Sequence, residues 1–246
     1  MSRCTRAESP TGLYHVMVRG AGKQILFEDD RDYARFISRL EENKTKSSID
    51  VVAYCLMNNH VHLLVKADTL DALSTMMRRL GTSYATYYNK KYEHCGNVFQ
   101  GRFKSKIIES ETSLLRCTRY IHNNPVKANF GSRDEYPWSS YHDYISGGGM
   151  TDTALVLGLV GEGSDFAKFS KGEVESDPAI FDVDDVVTIK TGNEIIRRHL
   201  ENELEVGTIV KKLGYEERNT IIRSLKDGGL SNRQIELITG VSQGKR

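Results

Sequence analysis

Two apolar runs separated by a single dipeptide constrain this chain more than any other feature. Residues 49–57 and 60–66 both read as strands, and only Asn58-Asn59, a turn signal, lies between them. The two runs are therefore expected to pair as a hairpin. The second run begins His60-Val61-His62-Leu63-Leu64-Val65. Strand alternation sends His60 and His62 to one face of the sheet, and Val61, Leu63 and Val65 to the packed face behind it. Two imidazoles so placed make half of a metal site and need one or two further ligands. A His-x-His pair also occurs as plain structure, so the motif alone is a weak signal.

The flanking segments extend the pattern. Residues 12–19 alternate like a strand and are ended by Gly20-Ala21-Gly22. Asp29-Asp30 opens a helical pattern that runs to about residue 46, with Tyr33, Phe36, Ile37 and Leu40 at helical spacing. Residues 70–92 form a second helix, with Leu73, Met76, Met77, Leu80, Tyr84 and Tyr87 on its apolar side. Residues 103–109 read as a fourth strand. Ser110 or Thr112 can cap a third helix over residues 113–127, with Pro125 near its end. The order β-α-β-β-α-β followed by a helix predicts an α+β fold: a ferredoxin-like (split βαβ) antiparallel sheet with packed helices.

Ser146-Gly147-Gly148-Gly149 reads as a flexible break and as the best domain boundary. The expected organisation is a main domain over residues 1–145, an acidic and partly flexible connecting segment over 146–204, and a helical tail over 205–246. A short helix is expected at 153–160 and a disordered-looking stretch at 170–185. In the tail, helices over 218–226 and 231–238 precede the turn Thr239-Gly240-Val241-Ser242, with Ser242 as an N-cap. That is helix-turn-helix grammar, with the recognition helix almost wholly missing after Ser242.

The net charge of +1 conceals a strong segregation. Between Arg78 and Lys127 there are ten basic and three acidic residues, a net of +7, whereas residues 131–205 carry six bases and sixteen acids, a net of −10. A basic block of this kind suits a polyanion, and binding through it would be salt-sensitive; a solvated helix face beside an acidic neighbour accounts for it less well. No run approaches eighteen apolar residues and the N-terminus lacks an apolar leader pattern, so a cytoplasmic protein without membrane association is expected. The four cysteines, Cys4, Cys55, Cys95 and Cys117, are scattered without ligand spacing, which reads as reduced thiols and argues against a cysteine-built zinc site.

Within the third helix, Leu114, Cys117, Thr118, Ile121, Pro125 and Ala128 form the core stripe, and Arg116, Tyr120, Asn123, Asn124 and Lys127 lie opposite. Tyr120 and Asn124 are one turn apart on one face. An accessible phenol flanked by cations suits attack on a phosphate, although a partly buried surface tyrosine fits the helix pattern too. The segment from Phe99 through Gly101, Arg102, Phe103 and Lys104 to Lys106 interleaves aromatic rings with cations, a combination that serves single-stranded nucleic acid. It fits equally a strand whose Arg102, Lys104 and Lys106 face solvent while Phe103 and Ile107 face the core.

Five segments together resemble one known family. They are Tyr14-His15-Val16 with Arg19-Gly20; Asn59-His60-Val61-His62-Leu63-Leu64; Phe99-Gln100-Gly101-Arg102-Phe103-Lys104-Ser105; Tyr120-Ile121-His122-Asn123-Asn124-Pro125-Val126-Lys127-Ala128; and Trp138-Ser139-Ser140-Tyr141. In this order, over roughly residues 10–145, they resemble the HUH single-tyrosine transposases of the insertion-sequence-200-like and REP-associated type. The resemblance implies that His60, His62 and Asn124 hold Mg²⁺ or Mn²⁺ and that Tyr120 is the nucleophile of a single-strand DNA cleavage and rejoining reaction. Arg19, Phe99, Arg102, Lys104, Lys106, Arg116, Arg119 and Lys127 would then meet the DNA. The expected partner is hairpin-flanked single-stranded DNA, handled by a monomer or a homodimer. Rival readings are a non-catalytic DNA-binding regulator that keeps the fold, and a metal hydrolase that activates water at His60 and His62.

Overall fold

The structure, a computed structural model, describes residues 6–173, 195–196, 210, 213–228, 230 and 232–241. Four strands build the sheet: β1 (Leu13–Arg19), β2 (Asp50–Met57), β3 (His60–Lys66) and β4 (Lys104–Ile107). Their spatial order is β2-β3-β1-β4, and every pair is antiparallel. With α1 (Asp30–Ser47) between β1 and β2 and α2 (Leu70–Tyr92) between β3 and β4, this is the predicted ferredoxin-like arrangement. The fourth strand is shorter than expected. Phe103 falls just before it, against the core, and Glu109 falls beyond its end.

Local chemistry explains the boundaries. Asp29 caps α1 through a capping box, accepting from the Asp32 amide while the Asp32 carboxylate accepts from the Asp29 amide. Thr69 accepts from the Ala72 amide and caps α2. The Asn58-Asn59 reversal involves no left-handed residue. It is held from outside: the amides of Leu26 and Phe27 donate to the Asn58 carbonyl, and the Gly20 amide donates to the Asn59 carbonyl.

Alternation splits the strands between two cores. On one face Val16, Val61, Leu63 and Val65 bury against Phe36 and Leu40 of α1 and Leu73, Met76, Leu80 and Tyr84 of α2. On the other, Cys55, Met57 and Leu64 meet Leu114, Cys117, Tyr120 and Ile121 of α3 (Glu111–Lys127). That helix starts at Ser110, whose hydroxyl accepts from the Ser113 amide, and it lies mainly over β2. The histidine-bearing face is therefore roofed over the hairpin, while the β4 edge remains the open side of the sheet.

The expected boundary at residue 146 lies inside this second core. Three short helices, α4 (Tyr141–Ser146), α5 (Ala154–Val160) and α6 (Ser164–Lys171), pack outside α3. They contribute Tyr141, Tyr144, Val156 and Phe166 to the same cluster as Tyr120. The glycines make a turn there. Gly149 sits at φ 75°, and a Cβ on it would lie only 2.3 Å from an Asp143 carboxylate oxygen. Acidic composition hid the buried apolar residues of this segment: Val156 and Phe166 join the α3 cluster, while Leu155 and Leu159 stay exposed. The expected disordered-looking stretch begins within α6, at a fully buried Ser170; its part from residue 174 onward lies outside the described residues.

In the tail, α7 (Tyr215–Asp227) and α8 (Asn232–Thr239) match the two expected helices. Ile221, Ile222 and Leu225 cluster with Ile235 and Ile238, and Ile25 of the main body joins them. Ser242 lies outside the described residues. Among those described, no helix is long and apolar enough to cross a membrane.

Candidate active site

Strand register assembles one face of the sheet. His60 pairs with Met57 and Arg19, His62 with Cys55 and Met17, and Leu64 with Ala53 and His15. Beyond β1, His15 pairs with Lys106 and Met17 with Lys104. Directly paired residues share a face, so His15, Arg19, His60, His62, Lys104 and Lys106 all lie on the side of the sheet that α3 partly covers.

Both predicted histidines are fully buried, and each has its Nδ1 engaged. The His60 Nδ1 lies 2.7 Å from Asn59 Oδ1, an acceptor, so this nitrogen donates, and in the neutral ring Nε2 keeps its lone pair. The His62 Nδ1 lies 2.9 Å from Nε2 of His15, also fully buried. Nε2 of His62 is shut off from solvent and has no hydrogen-bond partner among the described residues, and Nε2 of His60 is shut off as well. Burial, and then the neighbouring His60, His15 and Lys127, hold the His62 ionisation well below the ordinary imidazole range. It is a neutral imidazole, the form that ligates metals.

Tyr120 stands over this pair. Its ring meets His62 edge-on with centroids 5.4 Å apart and meets His15 at 6.1 Å, while His60 and His62 are 5.0 Å apart. One turn on, the Asn124 amide nitrogen donates to the Tyr120 carbonyl at 2.9 Å, which leaves Oδ1 as the ligand-type atom of that side chain. One expectation needs correction. Tyr120 is only 5% exposed, and Asn123 and Asn124 are buried with it. The middle of the stripe opposite the core is covered, Tyr120 by His15 and His62 of the sheet and Asn123 by Ser170 of α6. Asn123 donates to the carbonyls of Arg119 and Ser170, and the buried His122 shares a 2.8 Å hydrogen bond with the Ser140 hydroxyl.

The expected DNA contacts divide into three groups. Arg19, Lys104 and Lys106 lie on the histidine face of the sheet, and Arg116 and Lys127 lie on the less covered part of α3, Lys127 being exposed. Phe99 and Arg102 lie on the far side, where Phe99 packs beside Tyr84 and Arg102 is exposed. Arg119 departs from its expected role. Its guanidinium donates to the carbonyls of Phe169 and Glu173 and stacks 4.3 Å from the Phe169 ring centroid, so it fastens α6 to α3. Two residues of the site were missed in the sequence, Asn59 and His15. Strand parity is the signal that finds His15: it alternates with Met17 and Arg19, and pairing β1 with β3 puts all three on the face of His62.

The site suits a divalent cation by the chemistry of its donors: two imidazoles, each held at Nδ1 as metal-bound histidines usually are, and a nearby amide oxygen. Among the described residues no group of three or more His, Cys, Asp or Glu is arranged to hold a metal. A cation here would therefore complete its shell from a neutral amide and from substrate oxygens.

Comparison with known proteins places the sequence and the fold among transposase-like chains. Residues 10–124 match the profile of the family described as "Transposase IS200 like". A protein of Haemophilus influenzae assigned as a REP-associated tyrosine transposase is 27% identical over 157 residues, covering 58% of this chain and 86% of that protein. The solved structure of a REP-associated tyrosine transposase bound to a REP hairpin superposes with a TM-score of 0.56 at 18% identity, covering 74% of this chain and 99% of that one, and so shares the fold. Residues 10–124, the span that matches the IS200-like transposase profile, include the histidine pair, the tyrosine and the asparagine.

Proposed function

We propose that this protein cleaves and rejoins single-stranded DNA through a covalent tyrosine–DNA bond, with Tyr120 as nucleophile and His60, His62 and Asn124 as ligands of Mg²⁺ or Mn²⁺. The observation that carries the reading is the edge-on packing of Tyr120 against His62, both from one chain, where the His62 Nε2 is buried and unsatisfied. A buried polar atom without a partner costs about 1–3 kcal/mol, and a ligand at that atom would remove the cost.

When bound, the cation would offset the charge that develops on a non-bridging phosphate oxygen. The chain's own residues supply the rest. Arg19, Lys104 and Lys106 present cations along the face on which the backbone of the strand would lie. The Tyr120 oxygen forms a bond to phosphorus as the bond from phosphorus to the 3′-oxygen breaks. The phenol gives up its proton, the departing 3′-oxygen takes one, and the products are a 5′-phosphotyrosine and a free 3′-hydroxyl. One phosphoester replaces another, so the step is reversible, and a second 3′-hydroxyl can be joined without ATP.

The test is denaturing electrophoresis of the protein with hairpin-flanked single-stranded oligonucleotides in Mg²⁺ or Mn²⁺. Wild type should give a protein–DNA adduct. Tyr120→Phe should bind the same DNA but give none, because it loses the oxygen and keeps the ring packing. A wild type that binds yet never forms an adduct, or that releases a protein-free product independently of the phenol, would overturn the reading.

A further inference from the structure

The side of the sheet away from His60 and His62 carries a cleft that the proposed chemistry does not use. It opens between α2 and the 99–103 loop, with a volume of about 540 Å³, within the roughly 300–1,000 Å³ of sites that take small organic ligands. Its floor is apolar, built from Val18, Phe36, Leu80 and Phe99, and its rim carries Arg6, Arg78 and Arg102. Among the described residues, Asp71 is the one acidic residue lining it. Arg78 and Arg102 are exposed, and among the described residues neither has a hydrogen-bond or ion-pair partner. Arg6 lies 3.8 Å over the Phe103 ring and donates to the Phe103 carbonyl; burial and then the neighbouring Arg102 lower its ionisation from the ordinary guanidinium value. Three guanidiniums against one carboxylate call for an anion, and an apolar floor calls for a flat, weakly polar body beside it.

We propose that this cleft binds one nucleotide of the same single-stranded DNA, its base on the apolar floor and its phosphate among Arg6, Arg78 and Arg102. The proposal rests on the reading of the His60 and His62 face given above. Continuity of charge supports it. Arg102 stands two residues before Lys104, and Lys104 and Lys106 of β4 lie on the histidine face. As β4 is an edge strand of only four residues, a nucleic-acid strand can pass round it from one face to the other along these three cations.

The experiment is fluorescence anisotropy with the full chain and a hairpin-flanked single strand, intact or carrying one abasic position moved along its length. Gly81→Leu fills the cleft, because a Cβ there meets only the Phe99 ring, at the ordinary contact distance of 3.8 Å. Arg78→Glu reverses a rim charge at an exposed site and serves as the second variant. Each should weaken binding roughly ten-fold, the scale of one stacked base, while the adduct still forms at saturating DNA. In wild type one abasic position should cost a similar factor, and in Gly81→Leu that same position should cost nothing further. If both variants bind as wild type does, or if the abasic and Gly81→Leu losses simply multiply, the cleft proposal fails while adduct formation stands. A wild type that binds with the expected abasic signature but forms no adduct would sink the catalytic reading and leave the cleft in place. A wild type that binds no single strand would overturn both.

Discussion

Nε2 of His15 lies 2.9 Å from Nδ1 of His62, with both rings fully buried and inclined by 28°. One of these nitrogens must donate. If His62 donates, its Nε2 keeps a lone pair and can ligate; if His15 donates, that Nε2 carries a proton and cannot. The metal-competent site thus requires His15 to act as acceptor, which makes it the positioning residue for His62. His15→Leu should weaken Mn²⁺ binding by about 10- to 100-fold. His15→Gln, whose amide oxygen can accept, should recover part of the loss. Calorimetric titration of Mn²⁺ checks this, and equal affinities across all three proteins would refute the role.

Arg119 fastens α6 through two carbonyls and the Phe169 ring. Arg119→Ala should therefore cost about 1–3 kcal/mol in urea unfolding and leave the salt dependence of DNA binding unchanged. A shallower salt slope with unaltered stability would return Arg119 to the DNA-contacting set.

Lys104 and Lys106 face the open side of the site. If each meets one phosphate, Lys104→Gln and Lys106→Gln should each reduce the slope of log affinity against log salt by about 0.7. Titrations at several salt concentrations read the change directly, and an unchanged slope in both variants would remove these lysines from the DNA path.

The buried Asp32 carboxylate accepts from Tyr87 at 2.9 Å, Tyr92 at 2.5 Å, Lys91 at 2.6 Å and the Glu28 amide at 2.8 Å. It ties the start of α1 to the end of α2. Asp32→Ala leaves the half-buried Lys91 and two phenols without this partner. A loss of about 3–5 kcal/mol is expected in urea unfolding, reduced in part because Asp29 still pairs with Lys91. A change below 0.5 kcal/mol, the size typical of surface substitutions, would mean that the network contributes nothing to the packing of α1 on α2.

Phe166 is fully buried, stacked 4.4 Å from Tyr144 and close to His122. Phe166→Ala should cost about 3–5 kcal/mol in a single unfolding transition shared with the sheet. If residues 146–173 were a loose connector instead, the loss would be small and the transition would divide in two.

Much of the scaffold was legible in the amino-acid order, because its signals are local. Alternation in residues 60–66 assigned His60 and His62 to one face and Val61, Leu63 and Val65 to the other, as the two cores show. Caps at Asp29 and Ser110 and the apolar stripe of α2 placed the helices within a few residues. The order of these elements determined the ferredoxin-like sheet, since short links leave few ways to bury both of its faces.

What surrounds the site was decided by contacts distant in sequence. Whether the outward stripe of α3 meets water depends on α6, some fifty residues downstream, whose carbonyls meet Arg119 and Asn123. Helical periodicity marks two sides of α3 but cannot say that both will be covered, so Tyr120 looked accessible and is nearly enclosed. His15 was likewise invisible as a partner of His62 until β1 paired with β3, because a hydrogen bond across 47 residues exists only once the register is set. Local pattern determines which face a side chain takes, and only tertiary packing determines what waits for it there.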